Sequence, residues 1–137
     1  MFKLSVVTPV KVFYQEEINS LVAPGEVGYL GILSNHAPLI TALKPGLLTI
    51  KDHLDTEIEL AIAGGFLEVS NNQAMILADA VEYISEIDIK RAREAKKRAE
   101  NRVAGSMTDE HVDLERSHKA LARALNRLNL KKRLPER

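Results

Sequence analysis

The spacing of apolar residues in this 137-residue chain changes at Ser85, and the charge balance reverses at the same place. Before Ser85, apolar and polar residues alternate in short runs, as in β-strands; after it, apolar residues recur every three or four positions, as in helices. Residues 1–85 carry four lysines and ten carboxylates, a net charge of −6, whereas residues 86–137 carry fifteen cations and nine carboxylates, a net charge of +6. We therefore predict two domains, an acidic β domain at 1–85 and a basic helical domain at 86–137.

The residue pattern of the first domain predicts many short strands separated by turn residues. Pro24-Gly25 and Asn71-Asn72 are turn signals, and Pro45-Gly46 and Gly64-Gly65 are expected to end one strand before the next begins. Many short strands with such turns favour a β-sandwich or barrel over an α/β fold. The predicted strands cover residues 2–8, 10–13, 18–23, 47–51, 57–62, 66–69 and 74–78.

The residue pattern of the second domain predicts two helices that form an antiparallel hairpin. Ser85, with a carboxylate three residues later, is predicted to cap the first helix, and residues 105–107 to end it. Thr108 is predicted to cap the second helix, and Pro135 to stop it. Each helix carries an apolar stripe, and the two stripes are predicted to pack together: Ala92, Ala95, Ala99 and Val103 on the first helix; Leu114, His118, Leu121, Leu125 and Leu128 on the second.

Several classes of function lack the residues that they need. The chain has no cysteine, no phosphate-binding Gly-x-x-x-x-Gly-Lys-Ser/Thr loop and no Gly-x-Ser-x-Gly nucleophile turn, and its four histidines lack metal-ligand spacing. We therefore predict neither catalytic residues nor a metal site. Nucleic-acid binding is disfavoured because the basic half also holds nine carboxylates and no aromatic residue follows Tyr83. No membrane span and no secretory signal are predicted, and a reducing cytoplasm is the expected setting.

One segment combines permissive glycines with a histidine and a proline, over residues 28–39. Taken by itself, His36 fits a structural turn whose imidazole satisfies nearby backbone groups. Together with Val22-Ala23-Pro24-Gly25, residues 43–46 and residues 64–69, however, the segment resembles the epsilon subunit of the rotary, proton-translocating ATP synthase. The resemblance extends from Phe2 to about Leu130. The chain departs from it at Ser34-Asn35, where the family commonly has Pro-Gly.

This resemblance implies a ten-stranded β-sandwich followed by a two-helix hairpin, in a non-catalytic subunit of the central stalk. The complex would couple proton flow to ATP synthesis, and the subunit would lie peripherally at the cytoplasmic face of a bacterial plasma membrane. The sandwich would contact the gamma subunit, and its turns would rest on the ring of c subunits. The residues similar to the family's rotor-contacting segment are Gly28, Tyr29, Leu30, Gly31 and His36.

The resemblance also implies a regulatory nucleotide site. Residues 87–92, Ile-Asp-Ile-Lys-Arg-Ala, fit a signature with which some bacterial epsilon subunits bind ATP without hydrolysing it. No cofactor is required; ATP would be a regulatory ligand. On their spacing alone, the arginines fit the solvated, salt-bridged outside of a hairpin better than a ligand site. The matching positions are Glu82, Ile87, Asp88, Arg91, Ala92, Arg98, Arg123 and Arg127.

The basic second helix suggests an acidic partner. In related proteins the helical arm either folds against the sandwich or extends into the alpha/beta catalytic head and blocks ATP hydrolysis. Here the basic surface consists of Arg116, Lys119, Arg123 and Arg127. We therefore predict an inhibitory arm that ATP holds in the folded state. The alternative is a structural stalk adaptor with no response to nucleotide.

Overall fold

A computed structural model describes residues 1–105 and 114–132. The chain forms two compact units, of which the first is Met1–Tyr83 and the second begins at Ile84. The first unit holds seven strands and the second a 3-10 turn, Ile84–Glu86, and two helices. The strands are β1 (Phe2–Val7), β2 (Val12–Pro24), β3 (Tyr29–Ile32), β4 (Leu39–Asp52), β5 (Glu57–Ser70), β6 (Gln73–Ala78) and β7 (Val81–Tyr83); the helices are α1 (Ile89–Gly105) and α2 (Leu114–Lys132).

The strands of the first unit pair in a closed circuit. Strand β1 pairs with β6 in parallel and with β2 in antiparallel orientation, and β6, β5, β4 and β2 follow one another in antiparallel pairs. These five strands form a barrel-like sheet, to which β3 is added at β2 and β7 at β5. Closure pairs strand edges that would otherwise stay open to solvent. The predicted β domain followed by two helices is thus confirmed.

The structure has seven strands where the resemblance implies ten. Strands β2, β4 and β5 are 13 to 14 residues long and continue through the points at which we predicted breaks. In β5, Gly64 and Gly65 adopt φ angles of 104° and 136°, so the strand bends without ending. Opposite them, Pro45 stays in register with Ala63, and β2 continues through a register shift after Ile18. If the two segments of β2, β4 and β5 were counted as separate strands, the total would be ten strands.

Alternation along the strands places the core inside the barrel. In β1, Phe2, Leu4 and Val6 are buried, while Lys3 between them is exposed. Burial of such side chains is the main favourable term in folding, about 1.5–3 kcal/mol for each large aliphatic side chain. The fully buried large side chains of the barrel are Leu4, Val6, Ile18, Leu21, Ile32, Leu48, Ile50, Leu60, Ile62, Leu67 and Ile76.

Gly65 is the position where the barrel is least able to accept a side chain. Its φ of 136° is rare for residues with a Cβ, and a Cβ built there would overlap the carbonyl oxygen of Leu77. We expect Gly65→Ala to lower the free energy of unfolding by about 3 kcal/mol or more, because neighbouring backbone must move. Thermal unfolding followed by circular dichroism measures the loss. Gly31→Ala is the matched control, since no atom lies within 4 Å of its Cβ position; equal losses in both variants would contradict the prediction.

The second unit is an antiparallel helix pair. The ammonium of Lys131, near the end of α2, donates to the carbonyl of Ser85 at 2.9 Å, just before α1 begins. The C-terminal end of α2 therefore lies at the N-terminal end of α1. The predicted alanine stripe of α1 faces inward, with Ala92 and Ala99 buried and Ala95 and Val103 half-buried. Small side chains at these positions allow the helices to approach closely.

Two predictions about the helices were wrong. The inward side of α2 differs from most of the predicted leucine seam: Ser117 and Ala124 are buried and His118 is exposed, although Leu128 is buried as predicted. Leu125 is 37% exposed, and Leu121 is half-buried. The N-cap of α1 is Asp88 rather than Ser85, which lies in the 3-10 turn. The predicted helix end at 105–107 extends beyond the described residues, and the Thr108 cap, the Leu114 side chain and the Pro135 stop lie outside them.

Candidate functional site

The predicted rotor-contacting residues lie on strand β3 and the turns beside it. Gly28, Tyr29 and Gly31 are exposed, and Leu30 is half-buried. The hydroxyl of Tyr29 accepts a hydrogen bond from the amide of Leu47 at 3.2 Å, which fastens this edge strand to β4. Space for that hydroxyl depends on Gly46, whose Cβ would come within 3.0 Å of it. The segment is therefore a solvent-facing edge held in one position.

His36 has the local role that its residue type alone suggested. Its Nδ1 lies 2.7 Å from the Ala37 carbonyl oxygen, and because a carbonyl only accepts, Nδ1 carries the proton. The preceding Asn35 has a φ of 61°, a left-handed conformation that asparagine tolerates and in which glycine is common. The Asn35 amide donates to Asn72 Oδ1 at 2.7 Å. The Ser34-Asn35 departure from the family thus still supports a tight turn at this position.

The outer face of the barrel carries an apolar patch that we did not predict. In register, Ala42 lies beside Phe66 and Phe66 beside Leu77, while Ile40 and Met75 flank Glu68 in the next row. The exposed fractions are 75% for Ile40, 57% for Phe66, 52% for Leu77 and 45% for Met75. We call these five apolar residues (Ile40, Ala42, Phe66, Met75 and Leu77) the outer patch. Contiguous exposed apolar surface of this kind marks interaction sites.

The outer patch leaves a signal in the sequence. Phe66 and Leu67 are consecutive and both apolar, so in a strand they point to opposite faces and one of them must be outside the core. Likewise, residues 74–78 are all apolar although only Ala74, Ile76 and Ala78 are buried. The exposed residues form one patch only because these strands pair side by side. That pairing cannot be predicted from either segment alone.

The predicted nucleotide-binding residues are divided between the two units. Glu82 lies on β7 of the first unit, and the other seven lie in the second. Of these, Ile87 and Ala92 are buried, and Asp88 Oδ1 accepts a hydrogen bond from the Arg91 amide at 3.1 Å. One oxygen of Asp88 therefore satisfies an amide in the first turn of α1. Its carboxylate supports the helix whether or not it meets a ligand.

The four arginines of the predicted site share one side of the helix pair. Arg91 and Arg98 each directly precede a buried alanine on α1, and Arg123 and Arg127 each directly precede a buried residue on α2. In an antiparallel pair of right-handed helices, the residues that precede the inward positions lie on the same side of both helices. The geometry of the second unit therefore places all four arginine positions on one side.

The register of the pair also sets their spacing along the axis. Leu128, the residue after Arg127, lies near Arg93, Lys96 and Glu100 of α1. Arg127 is therefore at the level of the segment between Arg91 and Arg98, which are two turns, about 10 Å, apart, and Arg123 lies one turn from Arg127 along α2. The four arginine positions thus follow one another along one side of the pair.

The opposite side of the pair holds a groove of different composition. Its volume is about 310 Å³. One of its lysines, Lys96, lies 3.7 Å from the carboxylate of Glu100. None of the predicted nucleotide-binding residues contributes to it. The lining residues are Arg93, Lys96, Lys97, Glu100 and Leu128.

The predicted surface for the catalytic head lies on α2. Arg116 and Lys119 are exposed, and Arg123 and Arg127 are half-buried. Lys119 lies 3.4 Å from Glu115, but both side chains are more than two-thirds exposed, so this pair contributes little and competes weakly with an acidic partner.

One tyrosine of the barrel has a shifted pKa. Burial, with smaller contributions from Glu16 and Asp52, raises the pKa of Tyr14, so this phenol stays neutral at physiological pH.

The described part of the chain lacks two other kinds of feature. Within residues 1–105 and 114–132, no group of three His, Asp or Glu side chains is arranged to hold a metal ion. No helix in that part of the chain is long and apolar enough to cross a membrane.

The chain is similar to known proteins over both of its units. Residues 1–84 match the family described as the ATP synthase delta/epsilon chain, beta-sandwich domain, and residues 85–132 match its long alpha-helix domain. The ATP synthase epsilon chain of Desulforamulus reducens is 44% identical over 126 residues, 92% of this chain and 93% of that protein. The epsilon chain of Latilactobacillus sakei is 41% identical over 134 residues, 96% of this chain and 92% of that protein.

A solved structure supports the fold. A chain in the cryo-EM structure of the Euglena gracilis mitochondrial ATP synthase, OSCP/F1/c-ring, superimposes with a TM-score of 0.74. It is 22% identical, and the match covers 90% of this chain and 76% of that one. At this identity the likeness concerns the fold alone.

Proposed function

We infer that this chain, which belongs to the ATP synthase delta/epsilon chain family, acts as a non-catalytic epsilon subunit in the central stalk of the enzyme. The complex would couple proton flow to ATP synthesis, and the subunit would be held peripherally at the cytoplasmic face of a bacterial plasma membrane. Its two units have separate roles: the barrel docks on the rotor, and the helix pair regulates hydrolysis.

The outer patch is the observation that carries the docking role. Exposed Ile40, Phe66 and Leu77 would lose contact with water on binding, which stabilises a complex by about 25 cal/mol for each Å² of apolar surface buried. We propose that this face meets the gamma subunit. The edge formed by Gly28, Tyr29, Leu30, Gly31 and His36 would meet the ring of c subunits.

Placing charge in the outer patch tests the docking role. We expect Phe66→Asp with Leu77→Asp to weaken association with the gamma subunit and c ring by at least about a hundredfold, because two carboxylates would be desolvated at an apolar contact. Pull-down of the tagged chain with the purified rotor measures the effect. Leu54→Asp is the control, since Leu54 is 73% exposed in the turn between β4 and β5. Full binding by the double variant would overturn the assignment of this face.

The helix pair is proposed to bind ATP as a regulatory ligand. The side that carries Arg91, Arg98, Arg123 and Arg127 concentrates planar donors suited to phosphate oxygens. A bound triphosphate would offset repulsion among the four cations, and so it would favour the closed pair over an open one. In this proposal Ile87 and Ala92 fix the first turn of α1, while Asp88 and Glu82 are the candidate partners of the adenine and ribose.

The same helices are proposed to inhibit ATP hydrolysis when they extend. Arg116, Lys119, Arg123 and Arg127 would then face acidic residues of the alpha/beta catalytic head. Because Arg123 and Arg127 belong to both surfaces, ATP and the catalytic head would compete for them. This shared use supplies the differential affinity for two conformations that a ligand-operated switch requires.

A second candidate is a structural stalk adaptor with no nucleotide response. The capping bond of Asp88 favours it, because that carboxylate has a structural role in the absence of any ligand. The two candidates differ in whether ATP changes the separation of the helices in the isolated chain.

A further inference from the structure

Lys131 joins the two ends of the helical unit. Its ammonium donates to the carbonyl oxygens of Ser85 at 2.9 Å and Ile84 at 3.4 Å, more than forty residues away in sequence. Both carbonyls belong to the 3-10 turn that leads into α1. Lys131 is half-buried; its hydrogen bond to Ile84 is partly buried, whereas the shorter one to Ser85 is exposed.

The electrostatics of α2 favour this contact. The last turn of a helix carries partial negative charge, and a cation there is stabilised at the same time by the helix and by external carbonyls. Hydrogen bonds from a charged donor are also stronger than neutral ones. By contrast, two ion pairs within the described helices, Lys96 with Glu100 and Lys119 with Glu115, each join residues of one helix. Neither of those pairs affects how α2 is placed against α1.

Lys131 also lies one helical turn from Arg127 and two from Arg123, on the same side of α2. The contact at Ser85 therefore sets how far along α1 each of these arginines lies. A shift of α2 by one turn, about 5.4 Å, would move Arg123 and Arg127 by the same distance relative to Arg91 and Arg98.

We propose that Lys131 is a positioning residue, a latch that fixes the register of α2 on α1 and so fixes the levels of Arg123 and Arg127 relative to Arg91 and Arg98. The latch itself is a property of the free chain. Its consequence for nucleotide binding rests on the ATP site proposed above, and the two can be measured separately.

The test uses the full chain, which has no cysteine of its own. Spin labels on Lys90→Cys and Asn129→Cys, both at exposed positions, report the separation of the α1 start from the α2 end. Lys131→Met keeps the aliphatic stem and removes the donor, whereas Lys131→Arg keeps donors at this position. Lys119→Met is the matched control, because Lys119 is an exposed lysine of the same helix whose ion pair with Glu115 stays within that helix.

Without nucleotide, we expect Lys131→Met to raise the open fraction relative to the closed fraction by roughly five- to tenfold. Lys131→Arg and Lys119→Met should leave the distance distribution unchanged. A Lys131→Met distribution equal to that of the parent would overturn the latch.

ATP titration of the same labelled chains separates the latch from the proposed site. If the parent chain binds ATP, the affinity of Lys131→Met should fall in proportion to its measured closed fraction, by up to about five- to tenfold where the open state dominates, and Lys131→Arg should bind with the parent affinity. An affinity of Lys131→Met that does not follow its closed fraction would refute the positioning role. If the parent binds no ATP, the proposed nucleotide site fails, while the distance measurement still decides the latch.

Discussion

Removal of residues 86–137 is expected to raise the ATPase activity of the assembled enzyme. If the extended arm keeps nine-tenths of the complexes inhibited, its loss would raise activity about tenfold, since the gain is the reciprocal of the uninhibited fraction. The remaining residues 1–85 contain every core residue of the barrel and the whole outer patch. We therefore expect the truncated chain to fold and to enter the central stalk. Steady-state hydrolysis by enzyme reconstituted with either chain measures the difference.

A face-specific variant of the full chain provides the control for this deletion. Replacing Arg116, Lys119, Arg123 and Arg127 by alanine should release most of the inhibition while keeping both helices, because charge on this side of α2 is what meets an acidic partner. Arg93→Ala with Lys97→Ala alters the opposite side and should leave hydrolysis inhibited. If the chain without residues 86–137 were fully incorporated into the stalk and hydrolysis did not change, that result would contradict an inhibitory arm.

The fold class could be predicted from the sequence because alternation and helical spacing are local. The continuity of the long strands could not be predicted, because it depends on the strands with which they pair. Pro45-Gly46 and Gly64-Gly65 are breaks when each is considered alone, yet they lie close together across the β4–β5 pair, and both strands continue through them. The closed circuit of five strands likewise follows from contacts between distant segments, such as the parallel pairing of β1 with β6.

The helix pair shows where local patterns mislead. Leucines at four- and three-residue steps predicted the inward side of α2, but Ser117 and Ala124 are buried, while Leu125 is more than one-third exposed. An alanine stripe on α1 allows close approach, and close approach favours small residues on the facing helix too. This difference has a consequence for the site: Arg123 directly precedes the buried Ala124, as Arg127 precedes the buried Leu128, so both lie on the side that also carries Arg91 and Arg98.

The sharpest test of the nucleotide site is Arg123→Ala combined with Arg127→Ala. Each guanidinium is expected to donate charge-assisted hydrogen bonds to a phosphate, and loss of two such interactions should weaken ATP binding about a hundredfold or more. Isothermal titration of ATP into the isolated full chain measures the affinity. The same variant should lose any ATP-induced change in the separation of α1 and α2, because the remaining Arg91 and Arg98 lie on one helix and cannot link the pair.

Arg93→Ala with Lys97→Ala is the matched control for charge, since it removes two cations from the groove on the other side of the pair. Both double variants reduce the net charge of the helical half from +6 to +4, so non-specific attraction for a triphosphate falls equally in each. Selective loss of binding in the Arg123 and Arg127 variant would therefore locate the site on one side of the hairpin. Equal affinities in the two variants and the parent would instead favour the adaptor without nucleotide response, and the clustered arginines would then serve only the acidic partner.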